Sequence, residues 1–267
     1  MLTHLGKGIA VKLKNILIAS ALSAVLVAPV ALAAESFSSD QKKALEQMMH
    51  DYLVKNPEVL IEASQALQHK QQQGMQDQAK TAISQNAEDL FVGNATVAGN
   101  PQGDVTLVEF FDYQCSHCKK MKSVIGQLVA KDKSLRVVYM EFPIFGKSSE
   151  LASRAALAAS MQGKYQQMHN ALFDVDKRLN EKLIMQAAKS AGLNVEKLKV
   201  DMNSANVSKM LDTNRALAEK LKLMGTPAFI VASTPKGKFK VGSTPAFVPG
   251  AASEQALQDL IKKASGR

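Results

Sequence analysis

The sequence predicts an α/β fold: a small sheet built around a thiol site, interrupted by a helical insertion and preceded by a separate helical arm. Three observations carry that expectation. The only two cysteines of the 267-residue chain form Cys115-Ser116-His117-Cys118, set between an apolar strand-like run and a helix-like run. Apolar strand patterns at 105–113, 135–142 and 228–232 are separated by a long helical stretch, about 148–223. Residues 34–92 read as short amphipathic helices of a different, glutamine-rich composition.

The N-terminus comes first. Lys7, Lys12 and Lys14 form a basic lead, Ile16 to Leu32 is apolar and uncharged, and Ala31-Leu32-Ala33 has the small-x-small cleavage pattern. Residues 1–33 are therefore expected to be a cleaved export signal. The competing reading is an uncleaved anchor, against which Pro29 and the alanine-rich end argue. Export fixes the redox setting, because disulfides persist in the periplasm and outside the cell but not in the cytosol. Removing the signal's three lysines lowers the formal net charge from +9 to +6. The bases are scattered without aromatic interleaving, so nucleic acid is not an expected partner.

In the arm, Ser39 or Asp40 can cap a helix bearing Leu45, Met48, Met49, Tyr52 and Leu53 as one apolar stripe. Asn56-Pro57-Glu58 opens a second helix carrying Val59, Leu60, Ala63, Ala66 and Leu67. Gln68 to Gln78 is polar, and a further stretch carries Ala79, Ala82, Ile83, Ala87 and Leu90. Short helices with uncovered apolar faces are marginal alone. An identical arm from a second chain is the economical cover, so residues 34–92 are read as an oligomerisation arm and the assembly as a homodimer. Folding back onto the remaining 93–267 is the alternative.

Gly93 to Asp104 is a turn-rich connector with a short strand around Ala95–Val97. Strand Val105–Tyr113 then leads into the Cys115 helix, and Leu135–Phe142 is a second buried strand ending at Pro143. After the helical stretch come strand Ala228–Ala232, a turn at Pro235–Lys238, strand Phe239–Val241 and a last helix capped by Ser253.

The cysteines define the chemistry. A Cys-x-x-Cys where a strand meets a helix is a dithiol redox pattern. The first cysteine caps the helix, where unpaired N–H groups and the dipole favour an anion, and the thiolate is the reactive form. Cys115 is thus the nucleophile and Cys118 the resolving thiol that attacks a mixed disulfide with a client. A bridge across two residues constrains little chain, which argues against a structural staple. A zinc site would need two more ligands, with only His117 and His169 as candidates, so neither metal nor cofactor is expected. Ser116 and His117 lie inside the motif, where the imidazole can favour the thiolate. Glu109, six residues before Cys115, is expected to point inward and exchange a proton with Cys118, whereas Asp112 reads as a surface residue. Gly225-Thr226-Pro227-Ala228-Phe229 opens a buried strand with proline; a cis Thr226–Pro227 bond would leave Thr226 backbone groups for an extended client. The repeat of those letters at Thr244-Pro245-Ala246-Phe247 reads as a loop. His169, Met161, Met168 and Phe173 read as packing residues, as does Met48-Met49.

Glu109-Phe110-Phe111-Asp112-Tyr113-Gln114-Cys115-Ser116-His117-Cys118, the helical insert and Gly225-Thr226-Pro227 resemble the DsbA family of periplasmic thiol:disulfide oxidoreductases. Tyr52-Leu53-Val54-Lys55-Asn56-Pro57-Glu58-Val59-Leu60 is similar to the longer branch of that family, with Legionella DsbA2-like, Com1-like and ScsC-like members, in which the arm oligomerises the catalytic domains. The resemblance implies a thioredoxin fold with an inserted helical subdomain, Cys115 as nucleophile, Cys118 as resolving thiol, Glu109 as buried acid and Pro227 as cis-proline. Ser116 stands where the familiar oxidase has proline, and Thr226 where it has valine, as in DsbC-type isomerases. The expected activity is therefore disulfide isomerase with oxidase activity on exported cysteine-containing proteins, recycled by a DsbB- or DsbD-like membrane partner. Its location is expected to be the periplasm, with outer-membrane or surface association. A dedicated disulfide-donating oxidase is the near alternative, and a non-enzymatic holdase or copper-binding protein is the alternative of another class.

Overall fold

The computed structural model describes residues 37–91 and 96–266, so the expected export signal and its cleavage site lie outside the described residues. The elements run α1 (Ser39–Lys55), α2 (Glu58–Gln85), α3 (Ala87–Phe91), β1 (Val97–Gly99), β2 (Val105–Phe111), α4 (Ser116–Lys131), β3 (Leu135–Glu141), then α5 (Lys147–Ser160), α6 (Tyr165–Phe173), α7 (Glu181–Ser190), α8 (Val195–Asp201) and α9 (Ala205–Lys220). Then follow β4 (Ala228–Ser233), β5 (Ala246–Pro249) and α10 (Glu254–Ser265). The chain divides into two compact units after Leu60.

In the first unit, α1 begins with a capping box: the Ser38 hydroxyl accepts from Gln41 N and the Gln41 side chain accepts from Ser38 N. The cap is Ser38 itself, one residue ahead of the positions the sequence suggested. None of the residues of α1 is buried. Leu45, Met48, Met49 and Tyr52 all lie open to solvent.

The second unit is a thioredoxin-like fold. Its five-stranded mixed sheet has the order β1-β3-β2-β4-β5, with β2 and β3 parallel and the other neighbours antiparallel. β2 and β3 are buried along their whole length, and Thr106, Glu109, Arg136 and Glu141 are the polar residues set among their apolar ones. On one face Leu107, Phe111, Val137, Tyr139, Phe229 and Val231 pack with α4, the inserted helices α5–α9 and α10. On the other, Val108, Phe110, Val138, Met140 and Ile230 pack against Ala79, Ile83, Leu90, Phe91 and the end of α9.

Two expectations need correction. The sequence set a boundary near residue 92 and separate helical stretches before it. Instead α2 is one continuous helix from Glu58 to Gln85, and Ile83, Leu90 and Phe91 are fully buried in the core of the second unit. Their apolar side chains are what the second face of the sheet requires, and Gly74 lies within the helix with open space around it. The expected strand Phe239–Val241 is absent. Phe239 instead stacks on Phe91, ring centroids 5.2 Å apart, while Val241 is 89% exposed. The fifth strand is Ala246–Pro249, the segment read as a loop, where Phe247 pairs with Ile230.

Candidate active site at the Cys115–Cys118 dithiol

The loop from β2 to α4 is shaped by Asp112. Its Oδ1 accepts from Gln114 N at 2.7 Å, and its backbone carbonyl accepts from Cys115 N at 3.1 Å, which folds the chain into the helix start. Its Oδ2 accepts from Ile144 N at 2.7 Å and Phe145 N at 3.0 Å, tying the loop after β3 to the same turn. Asp112 is fully buried, not at the surface as its sequence position suggested, because these three N–H groups replace water.

Cys115 is the N-cap of α4, with extended backbone angles, and its sulfur accepts from Cys118 N at 3.4 Å. The same sulfur lies 3.4 Å from the Thr226 carbonyl, to which its thiol donates. The Thr226–Pro227 bond is cis. Both cysteines are free thiols. Cys118 is completely buried and Cys115 is 5% exposed, so the difference in access is smaller than expected.

The two sulfurs are driven apart in acidity. The hydrogen bond from the Cys118 thiol is the largest influence on Cys115; with the N–H groups of Cys118 and His117 and the Thr226 hydroxyl it outweighs burial and brings Cys115 down to about 5. Burial, the hydrogen bond given to Cys115 and the charge of Glu109 push Cys118 far above an ordinary thiol. Glu109 sits on the helix-covered face of β2, paired with Tyr139 on β3 and Phe229 on β4. It is held well above the usual carboxylate range, by burial first and then by the charges of Cys115 and Glu141. Its Oε1 has no hydrogen-bond partner.

Ser116 and His117 are both exposed on the first turn of α4. The backbone N–H of His117 reaches the Cys115 sulfur. Lys119 donates to Val175 O at 3.0 Å and Lys122 to Asn170 O at 3.2 Å, lashing α4 to the end of α6 and the loop beyond it. Ile144, Phe145 and Met224 are exposed apolar residues on the loops that Asp112 and Thr226 bring to Cys115. Among the described residues no cluster of three or more His, Cys, Asp or Glu is placed to hold a metal ion.

Residues 106–262 match the family of the DSBA-like thioredoxin domain. The chain belongs to that family. Residues 41–73 match a second model, the copper resistance protein ScsC N-terminal domain. Among solved structures, this DsbA-like chain is similar to a thioredoxin-like oxidoreductase from Silicibacter pomeroyi, at 39% identity and TM-score 0.61 over 67% of this chain and 98% of that one. It is also similar to BcfH of Salmonella enterica Typhimurium, at 30% identity and TM-score 0.71 over 85% and 97%. Curated relatives include a probable disulfide bond formation protein D of Bacillus cereus, 26% identical over 50% of this chain and 68% of that protein. The Na(+)/H(+) antiporter NhaA 3 of Salinispora tropica is 24% identical over 51% of this chain, and the match spans only 21% of the antiporter's length.

The sequence did not point to Asp112 as a buried turn former, nor to Glu141, Tyr113, Tyr165 and His169, which form a polar cluster behind the site. The signal available for Asp112 was its place two residues before Gln114, an Asx-turn spacing. Glu141 gave a weaker one, a lone acid closing a mostly apolar strand.

Proposed function

We propose that this DsbA-like chain is a periplasmic thiol:disulfide oxidoreductase that isomerises, and also donates, disulfides in exported cysteine-containing proteins. The observation that carries this is Cys115, acidic at a helix start, hydrogen-bonded to the residue before a cis-proline and backed by a far less acidic Cys118.

In isomerisation the Cys115 thiolate attacks a client disulfide. One client S–S bond breaks, a Cys115–client mixed disulfide forms, and a client thiolate leaves. Another client thiolate then displaces Cys115, so no net electrons are transferred. If the client stalls, Cys118 gives its proton to Glu109 and attacks Cys115, releasing a reduced client and the Cys115–Cys118 disulfide. Donation runs the other way: a client thiolate attacks Cys115 in the disulfide and Cys118 leaves, taking up a proton; a second client thiolate then attacks the client sulfur of the mixed disulfide, forming the client S–S bond and expelling the Cys115 thiolate. Extended clients would pair with the Thr226 backbone and rest on Ile144, Phe145 and Met224. Ser116 and His117, exposed beside the sulfur, border that same surface. A DsbB- or DsbD-like membrane protein would reset the dithiol.

The uncovered stripe of α1 and the match of 41–73 to the ScsC N-terminal domain support self-association of the arm, as a homodimer. Two linked sites can hold one client while its bonds rearrange. The test is refolding of a scrambled disulfide protein by the full chain and by a Met49→Glu/Tyr52→Glu version. Isomerisation should fall while reduction of a small disulfide is unchanged; equal isomerisation by both would reject a role for the arm. The low Cys115 value also favours a dedicated oxidase, since a stable thiolate makes its disulfide readily given up. A dithiol found wholly oxidised in cells would select that reading.

A further inference from the structure

Glu141 closes β3 and is fully buried, a costly place for a carboxylate unless hydrogen bonds surround it. The Tyr113 hydroxyl donates to its Oε1 at 3.0 Å and the Tyr165 hydroxyl donates to the same atom at 2.8 Å. The Tyr113 oxygen lies 3.2 Å from His169 Nδ1, and the Asn214 amide donates to the Glu141 carbonyl at 3.2 Å. Since Tyr113 spends its proton on Glu141, His169 must donate through Nδ1–H. That imidazole packs among Phe111, Tyr139 and Phe173 and stays neutral, drawn down to about 3 by burial and then by the charge of Lys122. Glu141 Oε2 and the hydroxyl of Ser149 are buried without partners. The carboxylate thus joins β3 to the Cys115 loop and α6, while the backbone carbonyl of the same residue holds α9.

Two geometric facts link this cluster to the thiols. Tyr113 stands two residues before Cys115, in the turn made by Asp112. Glu109 pairs across the sheet with Tyr139, and Glu141 is the next residue on that face of β3, one pleat or roughly 7 Å along. We propose that Glu141 is a positioning residue of the thiol site: it holds Tyr113, and hence the Cys115 loop, and its charge acts through the dry layer on Glu109 and the Cys115 sulfur. This rests on the dithiol chemistry proposed above.

The groups facing Glu141 set when it ionises. Burial lifts it to about 8, the hydroxyls of Ser153, Tyr165 and Tyr113 hold it back from going higher, and the charge of Asp112 adds to the rise. Tyr139 and His169 are neutral neighbours near pH 7, and Glu109 is the acid it acts on. On ionising, Glu141 places a second negative charge behind the dithiol, and a more basic Cys115 thiolate is a better nucleophile.

The experiment is the pH profile of Cys115 alkylation by iodoacetamide in the full reduced chain. Wild type should show one rise near pH 5 and a second, of about two- to threefold, near pH 8. Glu141→Gln should keep the first and lose the second. Tyr165→Phe, which removes a donor to the carboxylate, should move the second to higher pH. A folded Glu141→Gln protein that keeps the second rise, or a wild type without one, overturns the proposal. If the Gln variant does not fold, an unmoved second rise in Tyr165→Phe overturns it equally. Absence of the rise near pH 5 would sink the dithiol reading itself, whatever happens near pH 8.

Discussion

Cys115 is an acid whose strength belongs to the folded chain. An ordinary thiol titrates at about 8.5, whereas here the ionised sulfur is favoured down to about 5. Because the folded value is the lower one, ionisation stabilises the reduced protein above about pH 8.5, and this contribution fades to nothing as pH falls through about 5. The sulfur is partly open to solvent, so about 2 kcal/mol is a fair size for it. Urea unfolding of reduced wild type against Cys115→Ser should show that gap at pH 8.5 and none at pH 4.5. Thr226→Val removes a hydroxyl that favours the anion, so thiolate absorbance should appear at higher pH than in wild type. Asp112→Ala strips the acceptor from three N–H groups and leaves its own buried place empty, and should cost about 2–3 kcal/mol in the same assay, with slower exchange as the turn loosens. The cysteines, Glu109 and Thr226-Pro227 were legible in sequence because each has a local signature. Asp112 and Glu141 were not, since an acid's burial depends on which distant N–H and O–H groups the fold delivers to it.

At the scale of elements, alternation and caps located β2, β3, β4, α4 and α10 to within a few residues. The exchange between Phe239–Val241 and Ala246–Pro249 shows where local pattern fails. Both segments are short and β-prone, and the choice is made by partners: Phe239 finds the ring of Phe91, and Phe247 finds the edge of β4. Likewise α2 reads as broken by its polar middle, yet Ala79 and Ile83 near its end are needed beneath the sheet. The connector ahead of β2 has a tighter constraint than its composition suggests. A Cβ at Gly103 would lie 2.4 Å from Ser134 O and 2.8 Å from Arg136 N, both backbone atoms that cannot yield without moving β3. Gly103→Ala should therefore lower stability by about 2–3 kcal/mol by urea titration while leaving the Cys115 titration in place.

For the whole molecule, the contrast is between a core whose apolar side chains are covered and a first helix whose apolar side chains are not. Leu45, Met48, Met49 and Tyr52 expose apolar surface that a lone soluble helix does not keep without cost. Sedimentation should find an assembly for the wild-type chain and a monomer for Met49→Glu/Tyr52→Glu. An unchanged sedimentation coefficient would mean that the stripe serves something other than self-association. Among the described residues no helix is long and apolar enough to cross a membrane.

The outer strand β5 is not left open along its length. Gln76, from α2, donates to the Phe247 carbonyl at 2.8 Å and so occupies an acceptor that a foreign strand would use. The clients of the proposed function would be half-folded polypeptides, rich in segments seeking such an acceptor. On that proposal, stoppering the margin would leave the stretch before Pro227 as the favoured berth for a visiting chain, steering guests toward the sulfur and away from unproductive, amyloid-like adhesion.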